Sequence, residues 1–163
     1  MINIKIICVG DYKEKYLKEM NNEYIKRLSK YCKIETIVLK DESIPSNLNS
    51  AIAEQVKSKE ASFIISKLQS ITNPYIFVMD ETGTQYDSVS FAKKLENIPI
   101  SGHSTIVFVI GGSLGLTDSV RALAHDVVSF SKLTFPHQLI RVFLLEQLFR
   151  SFKINNNESY HHW

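Results

Sequence analysis

The chain has 163 residues, of which 44% are apolar, 22% charged and 10% aromatic, with only 6 Gly and 4 Pro. That is the composition of one soluble globular domain able to bury a core of its own, and it excludes collagen-like, low-complexity and disordered classes. The formal net charge of +2 does not announce a nucleic-acid binder. Apolar runs such as Ile106 to Ile110 fall far short of the ~20 residues a membrane-spanning helix needs.

Ile2 to Val9 reads as a buried strand closed by Gly10-Asp11. No cationic segment precedes it, which argues against a secretory signal peptide. Cys8 and Cys32 lie in apolar stretches without a CxxC or CxxH partner, and read as buried, reduced thiols of a cytoplasmic protein. Glu14 to Ser29 is amphipathic at helical spacing through Tyr16, Leu17, Met20, Tyr24 and Leu28. Cys32 to Leu39 suits a second strand, and Asn47 to Leu68 carries a long helical period broken by Asn73-Pro74.

Tyr75 to Met79 reads as a third strand ending on the polar turn Asp80-Glu81-Thr82-Gly83. Ser88 is the expected cap of a helix through Leu95 that stops before Pro99. Thr105 to Ile110 is the clearest buried strand and runs straight into Gly111-Gly112-Ser113-Leu114-Gly115. A short helix over Thr117 to Ala124 and a last strand over Val127 to Phe130 follow. Pro136 to about Lys153 forms the final helix, with proline where a missing N–H costs nothing. Strictly alternating strands and helices predict an α/β fold, a mainly parallel sheet flanked by helices. Ligands bind such sheets beyond the strands' carboxyl ends, here Met79-Asp80, Ile110-Gly111 and Phe130-Ser131.

Four segments could carry chemistry. The glycine loop after Ile110 is neither GxGxxG nor a Walker loop, so it is either a tight turn or a backbone surface for a ligand other than a pyrophosphate. Phe130 to His137 mixes hydroxyls, apolar side chains and free amides, as an adenosine-like ligand requires. His137 stands in a first helical turn, where the dipole disfavours imidazolium, and shares a helix face with Arg141. The last helix is apolar over most of its circumference, so it is either a central core helix or a homodimer interface. The tail Tyr160-His161-His162-Trp163 is either a frayed end or an arm whose rings stack on bases; its paired histidines lack the further ligands of a metal site. From Phe130 onward Lys132, Arg141, Arg150 and Lys153 outnumber Glu146 and Glu158, a mild basic bias.

The run Phe108-Val109-Ile110-Gly111-Gly112-Ser113-Leu114-Gly115-Leu116, then Phe130-Ser131-Lys132-Leu133-Thr134-Phe135-Pro136-His137-Gln138-Leu139-Ile140-Arg141, then Glu146 to Ile154 and the closing Tyr160-His161, resembles the RlmH family. These are bacterial 23S rRNA pseudouridine N3-methyltransferases of the SPOUT superfamily, and the resemblance covers the whole chain. It implies a SPOUT fold with a C-terminal trefoil knot, a homodimer, and S-adenosylmethionine (SAM) as methyl donor with no metal. SAM would lie against Met79, Gly111 and the run Phe130, Ser131, Lys132, Leu133, Thr134, Phe135. The implied substrate is Ψ1915 of 23S rRNA in the assembled ribosome. Tyr160 and His161 are then the candidates for holding the base, Arg141 for stabilising the developing imidate or a phosphate, and His137 for accepting the proton. The chain departs from the family pattern in having Gly83-Thr84 where Gly-Lys is frequent, Ser159 where Pro often precedes Tyr-His, and an extension to Trp163. The rival readings are a SPOUT methyltransferase acting on tRNA and a non-catalytic ribosome-binding protein.

Overall fold

The computed structural model describes residues 1–163. Its elements alternate as β1 (Ile2–Val9), α1 (Lys15–Leu28), β2 (Cys32–Leu39), α2 (Ser50–Gln69), β3 (Pro74–Gln85), α3 (Ser88–Ile100), β4 (Thr105–Ile110), α4 (Asp118–Arg121), β5 (Asp126–Ser129) and α5 (His137–Asn155). The strands form one sheet in the order β2-β1-β4-β3-β5. Every pairing is parallel, so the expected mainly parallel sheet is wholly parallel.

Covered faces explain the uninterrupted apolar strands, since β4 is buried at all six positions. Alternate residues divide between the faces. Ile4, Ile6, Cys8, Phe77 and Phe108 pack with residues of α1, α3 and α5, whereas Ile7, Val9, Val78, Val107 and Val109 pack with α2 and α4. Helix α5 packs against both α1 and α3, and its Leu144, Leu145 and Leu148 are wholly buried in the sheet-facing core. A helix covered by a sheet and two neighbours needs apolar residues nearly all round.

Three local readings are corrected. The cap of α3 is Asp87, whose carboxylate accepts the Ser90 amide at 2.7 Å. Ser88 instead donates its hydroxyl to Gln147 Oε1 on α5, at 3.0 Å. Helix α3 also runs through Pro99 to Ile100. The proline falls in the last turn, where the Ser101 and Gly102 amides take up the Asn97, Ile98 and Pro99 carbonyls.

Finally, β3 does not end at Met79. Met79 and Thr84 both align with Val128 of β5, so residues 80–83 bulge out between two stretches of ladder. Asp80 Oδ1 accepts both the amide (2.9 Å) and the hydroxyl (2.7 Å) of Thr82, which turns the bulge. Gly83 brings the chain back, and a Cβ there would stand 2.5 Å from the Val127 carbonyl oxygen.

Candidate active site

The carboxyl ends of β3, β4 and β5 open into a cavity of about 860 Å³. Its walls are Met79, Asp80 and Glu81 of β3, the glycine loop, residues 130, 131 and 133–136 and the first turn of α5, with Lys57 of α2 and Arg121 of α4 completing the rim. Of the eight residues assigned to the methyl donor, Met79, Gly111, Phe130, Ser131, Leu133, Thr134 and Phe135 line this space. Lys132 does not; it is exposed and absent from the lining.

Two kinds of glycine shape the loop. Gly111 has no room for a side chain, because a Cβ would lie 2.7 Å from Leu116 Cγ. Gly115 has open space around it but a φ of +86°, which an L side chain rarely adopts. Its amide donates to the Gly112 carbonyl at 3.0 Å and closes the turn. Beneath the loop, Glu60 is buried against Gly112 and accepts the Glu42 amide at 3.1 Å. Burial pushes the Glu60 carboxyl up, the Glu42 amide opposes that, and the Asp41 and Glu42 charges add to it.

The opposite wall is braced internally. Ser131 Oγ accepts the Leu133 amide at 3.0 Å, and Thr134 donates its hydroxyl to Glu81 Oε2 at 2.8 Å. Arg121 joins three elements, donating to Asp80 Oδ2 (2.9 Å), the Leu116 carbonyl (2.9 Å) and Asp118 Oδ1 (2.7 Å). Burial alone would raise the Asp80 carboxyl, but the Thr82 hydrogen bonds and the Arg121 guanidinium outweigh it and hold it low. The cavity thus carries fixed charges at its edge and an interior of apolar side chains and backbone.

A second cavity, of about 930 Å³, lies on the other side of the 130–135 segment and shares Val128, Phe130, Ser131 and Phe135 with the first. Tyr86, Val89, Phe143, Gln147 and His161 are among its walls.

The structure divides the four candidate catalytic residues. His137 lines the first cavity; burial lowers its pKa, Asp41 opposes that and Lys13 adds to it, so the imidazole stays neutral near pH 7. His161 lines the second cavity and its Nδ1 lies 3.1 Å from Arg150 Nη1. Tyr160 donates to Glu146 Oε1 at 3.0 Å, beneath the Arg150 guanidinium 4.8 Å from its ring centroid. Burial first, then the Glu146 charge, pushes the Tyr160 phenol up to about 12. Arg141 lines neither cavity. It is 5% exposed, with its guanidinium 4.0 Å over the Tyr12 ring, Nη1 donating to Asp11 Oδ1 at 3.5 Å, and Nε without a partner.

The tail is therefore docked. Asn157 turns the chain out of α5 at a φ of 55°. Glu158 then accepts from Tyr31 (2.8 Å) and Lys153 (2.7 Å), and the Tyr160 ring packs edge-on to Phe149 at 4.9 Å. Several neighbours of the site escape sequence reading. Glu146 and Arg150, four apart on α5, carry the signal of a helical ion pair. Lys57, supplied by a distant helix, carries none.

A family profile described as "Predicted SPOUT methyltransferase" matches residues 2–161. The chain belongs to the SPOUT methyltransferase family. It is 51% identical over 160 residues to the ribosomal RNA large subunit methyltransferase H of Acetivibrio thermocellus, covering 98% of this chain and 99% of the relative. It is 49% identical to "Ribosomal RNA large subunit methyltransferase H 1" of Clostridium perfringens and 48% identical to the H protein of Lactobacillus delbrueckii, at the same coverage. Within the SPOUT proteins it is a member of the ribosomal RNA large subunit methyltransferase H family. Among solved structures, "a probable methylase family protein" from Haemophilus influenzae aligns with a TM-score of 0.54 at 12% identity, covering 98% of this chain and 70% of that one, a likeness of fold.

Proposed function

We propose that this chain transfers a methyl group from SAM to N3 of a pseudouridine, Ψ1915, in 23S rRNA of the assembled ribosome. The observation that carries the reading is the cavity at the ends of β3, β4 and β5, lined by seven of the eight residues assigned to the donor. It fits a nucleoside carrying an amino-acid arm. Met79, Phe130, Phe135 and Ile140 offer apolar walls, the glycine loop and residues 130–136 offer backbone groups, and the charges at the rim suit the arm's ammonium and carboxylate. SAM, when bound, supplies a methyl group made electrophilic by its sulfonium.

The chain's own residues then have to hold the base in line and remove its N3 proton, because an imide-like nitrogen is a poor nucleophile until that proton leaves. Neutral His137, at the cavity rim, is suited to accept a proton. His161 lines the other cavity, Tyr160 is hydrogen-bonded to Glu146 of its wall, and Arg141 stands at the junction of β1 and α1. A homodimer lets one protomer's tail serve its partner's donor site. Phe143 at 37% exposure, Val89 at 39% and Leu133 at 71% supply apolar surface for such an interface. The trefoil knot, a single domain for both binding tasks, and action on ribosomes in the cytoplasm belong to the same proposal. Its test is methyl transfer from labelled SAM to purified ribosomes and, in parallel, to tRNA. Label in large-subunit rRNA alone supports it; label in tRNA alone, or SAM binding without transfer to either, overturns it.

A further inference from the structure

The chain's positive charge is concentrated where the sequence bias does not point. Lys13, Lys15, Lys18, Lys26, Arg27, Lys30 and Lys33 face only Glu14, Glu19 and Glu23 in the same stretch, so this segment is more positive than the whole chain. On α1, Lys15, Lys18 and Lys26 fall on one stripe through Asn22, at steps of three or four residues, and Lys30 continues it just past the helix end. Lys18 and Lys26 are exposed and have no carboxylate within ion-pair distance; Lys15 reaches Glu19 only at 3.9 Å. Beside the stripe, Tyr16 is 62% and Met20 43% exposed.

The stripe also has a direction. At its far end Arg27 lies over the Phe149 ring at 5.7 Å, and Lys30 comes within 4.0 Å of Glu158. Phe149 packs against Tyr160, and Glu158 stands two residues before it in the docked tail. A ligand running along α1 arrives at the tail.

Resting on the proposed function, we propose that α1 is an RNA-docking surface: a strand of rRNA lays its phosphates along Lys15, Lys18 and Lys26 and presents the target nucleotide at Tyr160-His161. The observations favour a polyanion with stackable groups. Exposed lysines neutralise phosphates, and an exposed tyrosine offers a ring to a base or ribose. A 14-residue helix is about 21 Å long, enough to follow several nucleotides. A low net charge on the whole chain is compatible with this, because the local stripe is what a backbone meets.

The test uses the full-length protein with Lys15→Gln, Lys18→Gln and Lys26→Gln combined, all exposed positions whose loss leaves no buried group unpaired. Binding to ribosomes is measured against salt concentration, alongside SAM titration and methyl transfer. The expected result is ribosome affinity ~10- to 100-fold weaker, with a log–log salt slope smaller by about 2. SAM affinity should stay within twofold, and the triple Lys→Arg variant should restore binding. Unchanged affinity and slope in the Gln variant overturn the proposal, as does a variant that loses binding to anionic phosphatidylserine vesicles but not to ribosomes. If the wild-type protein transfers no methyl to ribosomes, the proposed function itself fails. If wild type and variant transfer alike, only the α1 surface does.

Discussion

The Tyr160 hydroxyl donates to Glu146 Oε1 at 3.0 Å, tying the last residues of the chain to the middle of α5. Glu146 is a shared anchor, since Oε1 also accepts from Arg150 Nε at 3.1 Å and Nη2 at 2.6 Å, while Oε2 accepts from Gln147 at 2.8 Å. One carboxylate thus sets the position of the tail and of the Arg150 guanidinium, which in turn meets His161.

Replacing Glu146 by Gln removes the charge but keeps an acceptor. The tail should loosen, with methyl transfer falling at least tenfold while SAM affinity holds. Folding stability should drop by about 1–2 kcal/mol, as for a weakened charge-assisted hydrogen bond. Urea unfolding and SAM calorimetry separate the two effects. Wild-type transfer by a variant with a mobile tail would remove Tyr160 and His161 from the reaction.

Arg141 poses the opposite question. Its partner Asp11 is largely exposed, with 64% of its side chain accessible, so losing the arginine strands no buried charge. Arg141→Met should therefore fold with stability within about 1 kcal/mol of wild type. If the guanidinium serves the substrate, transfer should still fall by two orders of magnitude or more. A variant that unfolds readily would instead make Arg141 a structural residue.

The glycines give a graded prediction. Gly83→Ala forces a Cβ against the backbone of β5, with the Val127 oxygen 2.5 Å away and the Val128 nitrogen at 2.7 Å, and strands cannot give way as a side-chain tip can. It should cost about 2–3 kcal/mol. Gly115→Ala meets no atom within 4 Å and pays only for its φ of +86°, about 1–2 kcal/mol. Thermal unfolding of the two variants should rank them in that order.

His137 links stability to pH. Its folded pKa lies below the ordinary 6.5, so just below that pH the unfolded chain binds a proton that the folded chain does not. Stability therefore falls as pH drops through 6.5 toward the folded value, and is fully present above it. His137→Gln should flatten this part of the stability curve, measured as urea midpoints against pH. An unchanged slope would mean that another group supplies it.

The sheet was legible because each strand announces itself by composition. The run Ile106–Ile110, apolar at every position, reads as a strand covered on both faces, and the glycine loop behind it marks where a ligand approaches. Seven residues that line the cavity followed from that logic and from the family pattern together. The capping swap between Ser88 and Asp87 was not legible, since both can cap and the choice depends on Ser88 meeting Gln147 on a helix 59 residues away. The return of β3 through Gly83 depends on pairing with a strand not yet formed in a linear reading. Lys57 and Arg121 reach the cavity from helices with no motif of their own, and the separation of Arg141 from His137 reflects which neighbour each meets, Tyr12 or the cavity. Periodicity finds the face of a helix and leaves open what stands opposite it.

We propose that the cavity at the ends of β3, β4 and β5 holds SAM for the methylation of one pseudouridine. Mass mapping of rRNA nucleotides, after incubating the protein with SAM and ribosomes lacking this methyl group, tests it most directly. The prediction is a single new N3-methylpseudouridine in the large-subunit rRNA, lost when Gly111→Ala drives a Cβ against Leu116 and distorts the glycine loop. Unmodified rRNA, or a methyl group on another nucleotide, would contradict it.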